Sequence, residues 1–282
     1  MSAANVVRTG IAGQVQTGQY VGKPVPLLTN STLNQKLGIN SDQDIPSNAV
    51  QAVKYVAIGN GGHDFIVGAN GRKKWKGVHH TARHTAMYNQ LPFVLRAVDD
   101  DLTAVERQKY RLRRIETHNG VQYVAYYLRV LDLSNAEVSM ELRHVENGAT
   151  TATPYVPSLE DLNPTPPVLV AGQAVTTTGD YIASSCKVTF EMTASDLQEF
   201  NRAMEIIEGE SGWAMISEMA VVAGVDANVN GIFNGETKQY VDVLRAQITS
   251  FIATAYVTEF QTDGIKLNLD IGNVEPLLKA TI

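Results

Sequence analysis

The alternation of apolar and polar positions between residues 110 and 133 predicts a β-hairpin. Its first arm, residues 110–117, largely alternates, and its second arm, residues 121–131, is rich in aromatic and β-branched side chains. Between the arms lies Asn119-Gly120, which is typical of a type I′ turn because both central residues of that turn need positive φ. We therefore expect the rest of the chain to be organised around this hairpin.

Similar patterns predict further strands and a few short helices. Capping residues near positions 30, 103 and 193 favour helix starts. Residues 226–235 have the composition of a turn-rich loop, and residues 238–250 suit either a helix or a strand. Strands are predicted at residues 52–58, 93–98, 138–145, 181–192, 213–223, 251–257 and 265–271, the last two joined by a hairpin turn at Asp263-Gly264. The predicted fold class is α+β, mostly antiparallel β, with two sheet-centred lobes, short helices and long extended arms.

Two stretches lack periodicity and predict the domain organisation. Residues 1–28 are interrupted by glycines and prolines and are expected to form an extended N-terminal arm. Residues 149–180 are rich in Thr and Pro and are expected to be a linker or wrapping arm. The N-terminal α+β domain would then span residues 29–148 and the C-terminal α+β domain residues 181–282. Arms with so little apolar density are expected to become ordered on partners.

Charge and cysteine content narrow the classes of protein. The net charge of −6 argues against sequence-wide attraction to nucleic acid or to an anionic membrane. The basic run at residues 72–76 is the main exception, and a solvated loop explains it better than nucleic-acid contact. Cys186 is the only cysteine, so a disulfide within the chain is excluded. The chain shows no signal peptide and no membrane-spanning apolar run, and we expect it to be soluble and made in the cytoplasm.

Candidate chemistry is sparse. The glycine cluster at residues 59–62 lacks the phosphate-loop pattern, so a tight turn is favoured. His80 and His84 have the spacing of two metal ligands on one helix face, but no further ligand is evident nearby. The three aspartates at residues 99–101 are better explained by their place before a helix than by cation binding. No Gly-x-Ser-x-Gly motif occurs. We expect no enzyme, no cofactor and no metal site.

Assembly through protein–protein interfaces is the better supported hypothesis. Long loops such as residues 63–92 are usually functional or contact surfaces, and aromatic side chains are enriched at interfaces, although the same residues also suit a core. The candidate interface residues are Trp75, His79, His80, His84, Tyr123, Tyr127, Pro154, Pro157, Pro166 and Phe251.

Several stretches together resemble a family of virion structural proteins from large tailed bacteriophages. These stretches are residues 55–63, 91–96, 99–102, 112–116 and 126–133. The strand at residues 55–58 with its long following loop is similar to the opening of baseplate wedge proteins of contractile tails, and residues 216–221 are similar to tail-associated β modules. The resemblance implies a multi-copy structural component without catalytic activity.

From this resemblance we expect a tail or baseplate protein of the virion, assembled in the host cytoplasm. Its partners would be other virion structural proteins and copies of itself, with no nucleic acid and no membrane. A neck or capsid-decoration protein, or a carbohydrate- or receptor-binding module, is the alternative.

Overall fold

The computed structural model describes residues 6–25, 31–44, 48–165, 175–209, 214–233, 235–258 and 263–280. The chain forms two compact units, and each unit is assembled from two separate segments. Unit 1 comprises Met1–Leu131 and Glu191–Ile265, and unit 2 comprises Asp132–Phe190 and Lys266–Ile282. The structure therefore divides the chain differently from the predicted contiguous domains at residues 29–148 and 181–282, because strands distant in sequence join the same sheet.

Strands outnumber helices in the described residues. The strands are β1 (Val6–Arg8), β2 (Ala52–Gly59), β3 (His63–Val67), β4 (Lys73–Gly77), β5 (Gln90–Leu91), β6 (Val94–Ala97), β7 (Tyr110–His118), β8 (Val121–Val130), β9 (Val138–Glu146), β10 (Ala149–Pro154), β11 (Val175–Met192), β12 (Met215–Phe233), β13 (Glu236–Val257) and β14 (Ile265–Ala280). The helices are α1 (Gly10–Val21), α2 (Leu33–Leu37), α3 (Ala104–Arg107), α4 (Leu159–Leu162) and α5 (Ala194–Glu208), with one 3₁₀ turn at Val98–Asp100. None of these helices is both long and apolar enough to cross a membrane.

Unit 1 is built on an eight-stranded sheet. Its strand order is β1-β13-β12-β2-β8-β6, with β5 also paired to β2 and β7 to β8. The predicted hairpin is β7–β8, and its turn has φ of 50° at Asn119 and 80° at Gly120. All of these strand pairs of the unit 1 sheet are antiparallel, which confirms the predicted mostly antiparallel α+β class with sheet-centred lobes.

The longest hairpin, β12–β13, corrects two predictions and decides between two alternatives. Residues 226–235 mostly extend β12 instead of forming a loop, and residues 238–250, which suit either a helix or a strand, belong to β13. Strands β13 and β14 do not form the predicted hairpin at Asp263-Gly264, because they belong to different sheets, and β13 pairs with β12 and, at Ser250–Ile252, with β1. Strand β14 instead joins β11 at the edge of the sheet in unit 2.

Helix α5 buries the apolar face that its periodicity predicts. Leu197, Phe200 and Met204 are buried, and Thr193 closes a capping box with Asp196 at the start of the helix. Burying a side chain as large as that of Phe200 contributes about 1.5–3 kcal/mol. Arg96 on β6 pairs with Glu199 on α5 at 2.7 Å and ties the helix to the sheet.

Helix α1 replaces part of the predicted N-terminal arm. Thr9 caps its start by accepting a hydrogen bond from the Ala12 N–H, and donates one to the Ile248 carbonyl at 2.8 Å. Gly22 ends the helix with φ of 61°. A Cβ on Gly18 would lie 2.8 Å from a methyl carbon of Val25. Two of the glycines that argue against a helix in the sequence therefore have structural roles, since Gly22 ends the helix and Gly18 lies where the returning chain touches it.

Unit 2 is built on a four-stranded sheet of order β10-β9-β11-β14. Strands β9 and β10 form a hairpin through Asn147-Gly148, with φ of 50° and 78°. The predicted linker at residues 149–180 thus contains a strand, the short helix α4 and the first part of β11. The prolines and threonines of this segment are typical of a linker or wrapping arm, yet threonines also suit an exposed strand such as β10.

Candidate functional site

A buried carboxylate, Glu218, organises the loops at one end of the unit 1 sheet. Glu218 lies on β12 opposite Gly59 of β2, and its side chain is 1% exposed. Its Oε1 accepts hydrogen bonds from the N–H groups of Gly61 at 3.1 Å and Asn89 at 2.9 Å. Its Oε2 accepts from the Tyr88 N–H at 3.2 Å and from His80 Nε2 at 2.7 Å. One side chain thereby holds three separate points of the chain between residues 61 and 89.

The glycine cluster at residues 59–62 forms a wall around this carboxylate. A Cβ on Gly59 would lie 2.8 Å from Glu218 Oε1, and one on Gly61 would lie 2.9 Å from the same atom. Gly62 donates its N–H to Ser217 Oγ at 3.0 Å, and His63 Nδ1 lies 2.8 Å from that oxygen. The glycines were expected to make a tight turn, and close approach to Ser217 and Glu218 is the further reason for them.

His80 is enclosed between two aromatic rings. Its ring stacks on Phe251 at 3.7 Å between centroids and on Tyr88 at 4.1 Å. Its Nδ1 lies 3.0 Å from His84 Nδ1, so the two imidazoles share a hydrogen bond. In the described part of the chain no group of three or more His, Cys, Asp or Glu side chains is arranged to hold a metal ion. The histidine pair belongs to the buried polar network.

The electrostatics of Glu218 follow from its donors. Burial by itself would raise the pKa of the carboxyl, but the His80 hydrogen bond and the N–H groups of Asn89 and Tyr88 outweigh it and lower the pKa below its ordinary value. A charged carboxylate with four donors is stable in the interior, whereas an unpaired one is not. This arrangement fixes backbone position, and its ligands leave the carboxylate with no free side facing solvent.

A second buried carboxylate, Asp242, holds β13 to β7. It accepts hydrogen bonds from the N–H groups of Leu112 at 2.6 Å and Val243 at 2.8 Å, and from Asn40 Nδ2 at 2.9 Å. Leu112 has φ of 53°, an uncommon conformation that the bond to Asp242 supports. Burial raises the pKa of Asp242 to about 6, although the N–H donors oppose that rise. Asn40 also lines a small polar pocket of about 150 Å³ beside Arg245.

Asp101 has a larger role than the predicted helix-entry acidity. Its Oδ2 pairs with the buried guanidinium of Arg113 at 2.9 Å, and its Oδ1 accepts from the Tyr126 hydroxyl at 2.6 Å. Arg113 also stacks on Phe233, 4.1 Å from the ring centroid. This cluster, like those of Glu218 and Asp242, joins distant strands of unit 1.

Strands β3 and β4 form a separate two-stranded sheet, which we name the exposed hairpin. Val78 N–H donates to the Gly62 carbonyl at 2.9 Å, and Glu218 holds the flanking residues 61, 80 and 88. The buried carboxylate thus anchors the base of a hairpin whose strands are almost entirely exposed. A two-stranded hairpin is at best marginally stable alone, so this anchoring matters for its position.

The two faces of the exposed hairpin differ in chemistry. Phe65 pairs with Trp75 across the strands, with ring centroids 4.6 Å apart, and Val67 pairs with Lys73 on the same face. We call this the aromatic face. Phe65 is 45% exposed and Trp75 is 51% exposed. The opposite face carries the pairs of Asp64 with Lys76 and Ile66 with Lys74.

The structure separates the ten predicted interface residues into three groups. His80, Tyr127 and Phe251 are buried in unit 1, so their side chains are not available at its surface. His84 and Tyr123 are half-buried, and Trp75, His79, Pro154 and Pro157 are exposed. Pro166 lies outside the described residues. The prediction grouped surface and core positions because aromatic composition alone does not distinguish them.

The sequence interpretation missed Glu218 and the exposed hairpin. Glu218 gave no local signal, since its partners lie about 130–160 positions earlier in the chain. The hairpin did give one, because Asn70-Gly71 stands between two short alternating arms, and Gly71 has φ of 73° in the turn. Its glycines and lysines are, however, equally typical of a polar loop.

Comparison with known proteins gives a single result. No curated protein matches the chain, and no solved structure matches it. A family model described as a family of unknown function, DUF7208, matches residues 1–282. Since that match covers the whole sequence, the chain belongs to the DUF7208 family.

Proposed function

We propose that the protein is a structural component of a tailed-bacteriophage particle, placed in the tail or baseplate and acting through protein–protein interfaces. The sequence resemblance to virion structural proteins is the reason for placing the protein in a phage particle. The apolar surface of unit 2 supplies the physical reason to expect permanent neighbours, and it is the observation on which the proposal depends.

Unit 2 exposes more large apolar side chains than it buries. Its buried apolar residues among those described are Ala183, Val188, Phe190 and Leu269. Its exposed ones include Val138, Met140, Val145, Val156, Leu159, Leu162, Val274 and Leu278. A sheet is stable when at least one face is covered by another layer. Neighbouring proteins in an assembled particle would supply that layer, as permanent interfaces resemble a domain core cut in half.

The polar clusters of unit 1 are consistent with a scaffold. Glu218, Asp242 and Asp101 are each surrounded by donors from the chain itself. Such networks hold loops and strands in place, and that of Glu218 fixes the base of the exposed hairpin for contact with a neighbour.

Electron microscopy of the purified particle tests the proposal. A gold-binding tag is inserted at the exposed Asn119-Gly120 turn, and untagged particles serve as the control. We expect label at the distal end of the tail. Label on the head or collar would favour the neck or capsid-decoration alternative. Unlabelled particles, with the tagged chain present and folded in the lysate, would contradict a virion role.

A glycan array tests the remaining alternative. The aromatic face offers Trp75 and Phe65, but the charged side chain beside them is Lys73 and not the carboxylate that sugar-binding shelves commonly carry. We expect no specific binding by the purified chain. Binding that is lost in Trp75→Ala would favour the carbohydrate-binding module instead.

A further inference from the structure

We infer that the aromatic face of the exposed hairpin binds the segment Val156–Leu162 of a second copy of this chain, an inference that rests on the proposed assembly function. The segment contains α4, and we call it the α4 segment. The proposal joins two surfaces that are both exposed, both apolar and opposite in charge.

The aromatic face presents an apolar surface with cations along it. Phe65, Val67 and Trp75 lie side by side, and Lys73 extends over the Phe65 ring at 6.0 Å. Arg72 directly precedes Lys73 and is exposed. Tryptophan and arginine are the side chains most often found at the energetic centres of interfaces.

The α4 segment presents an apolar surface with carboxylates beside it. Leu159 is 79% exposed and Leu162 is 69% exposed, and their i, i+3 spacing puts them on one side of the short helix. Val156 precedes them and is exposed as well. Asp161 is committed to the capping box with Ser158, which leaves Glu160 exposed for an external cation.

Charge complementarity is the reason to propose a second copy of this chain as the partner that binds the aromatic face. The hairpin, residues 63–77, has four cationic side chains and one carboxylate, a net charge of +3, so the rest of the chain carries −9. The chain has no lysine or arginine between residues 149 and 179, and the α4 segment contributes two carboxylates. Each copy therefore carries a basic surface and an acidic surface that attract each other across copies.

The contact would be heterologous, because it joins two different surfaces. Such contacts close into rings when the rotation between copies permits, and otherwise extend into helical arrays. Ring and helical symmetry are what a multi-copy tail component needs. One hairpin face and one short helix bury an area at the low end of the interface range, so we expect a dissociation constant on the order of 10–100 µM for a single contact.

Sedimentation equilibrium of the purified full chain tests the inference. We expect the average mass to rise with concentration and to fall with added salt. Trp75→Ala and Leu162→Ala change exposed residues and should each weaken association, Trp75→Ala by about 30-fold or more. Circular dichroism and thermal melting are recorded in parallel and should match the wild type.

Charge reversal identifies the pairing. Lys73→Glu, on the aromatic face, should weaken association by about tenfold, and Glu160→Lys should do the same. Lys74→Glu makes the same charge change on the opposite face and is the matched control, with a much smaller effect. The double variant Lys73→Glu with Glu160→Lys should recover most of the wild-type association.

Three results would overturn the inference. They are a monomer at all concentrations up to about 500 µM, well above the expected dissociation constant, equal effects of Lys73→Glu and Lys74→Glu, or a double variant as weak as the singles. None of these results changes the outcome of labelling the particle, which tests the proposed function separately. If the purified chain self-associates but the particle carries no label, only the virion role is contradicted.

Discussion

The two units of this protein solve the burial of a sheet in different ways. In unit 1, strands β2, β8 and β12 each contain a run of at least five consecutive buried residues, and side chains from α2 and α5 pack in the same core. In unit 2, strand β10 is exposed along its whole length and β9 is at most half-buried. The buried apolar contacts among the described residues are therefore concentrated in unit 1, whereas unit 2 leaves apolar side chains exposed.

A core truncation in unit 1 should give the largest effect. Phe200→Ala removes a fully buried ring and should lower the free energy of unfolding by about 3–5 kcal/mol. Leu162→Ala in unit 2 is the matched control and should change it by less than about 0.5 kcal/mol. Chemical denaturation of the two variants measures both values. Similar losses would mean that α4 is packed and would remove the contrast between the units.

Removing the Glu218 carboxylate should have the second largest effect on stability. Glu218→Ala leaves three N–H groups and the buried His80 ring without their acceptor, and we expect the free energy of unfolding to fall by about 3 kcal/mol. Glu218→Gln keeps an acceptor oxygen for Gly61 and Asn89 and should lose less. Hydrogen exchange should also show faster exchange at Gly61, Tyr88 and Asn89. Unchanged protection there would contradict the role of Glu218 as the anchor of the exposed hairpin.

The two buried carboxylates should respond to pH in opposite directions. Because the folded-state pKa of Asp242 is raised from 3.8 to about 6, its contribution to stability is complete below pH 3.8 and is lost as pH rises through about 6. The difference corresponds to on the order of 3 kcal/mol at most. Asp242→Asn should remove this dependence, which denaturation at pH 4 and pH 7 would measure.

Glu218 has the opposite sign, since its folded-state pKa is lowered. Its contribution is present above the unfolded value of 4.5 and is lost as pH falls through the folded value below that. The stability difference between wild type and Glu218→Gln should therefore shrink only in acid. A difference that is constant with pH would mean that the charge of Glu218 is not what stabilises the loops.

Limited proteolysis should give the smallest effect, a difference in the rate of cleavage within unit 2. Thermolysin, which cleaves before apolar residues, should cut the isolated chain first at Leu159 or Leu162, because both are exposed. Trypsin has no site between residues 149 and 179 and is the control protease. In assembled particles the thermolysin cut should be slowed. Equal rates in both forms would indicate that the α4 segment has no neighbour there.

Local patterns of the sequence predicted local structure well. The Asn119-Gly120 turn, the strand that became β2 and the capped helix α5 each depend on neighbouring residues, and all three are confirmed. Helix α1 was missed because four glycines outweighed its cap at Thr9. The sequence alone does not distinguish a glycine that allows close packing, such as Gly18 against Val25, from a glycine that ends a helix.

The candidate site depended on long-range pairing, which the sequence does not display. Ser217 and Glu218 lie at a register shift in the pairing of β12 with β13, and the pairing of β12 with β2 places Glu218 opposite Gly59. The sequence also does not show that unit 2 is built from two separate segments, since β14 pairs with β11 although β12 and β13 lie between them in the chain. The exposure of Trp75 and the burial of Tyr127 also depend on long-range pairing. Trp75 lies on the exposed hairpin β3–β4, whereas Tyr127 lies on β8 inside the unit 1 sheet.

The place of β14 at the edge of the unit 2 sheet has a consequence for the order of folding. A hairpin such as β9–β10 closes in microseconds, but β14 must find β11 across the whole β12–β13 hairpin, and such non-local pairing is slow. Until β14 arrives, one edge of β11 is open, and open edges recruit strands from other molecules. Timely docking of this last strand would then decide whether newly made chains enter ordered assembly or aggregate.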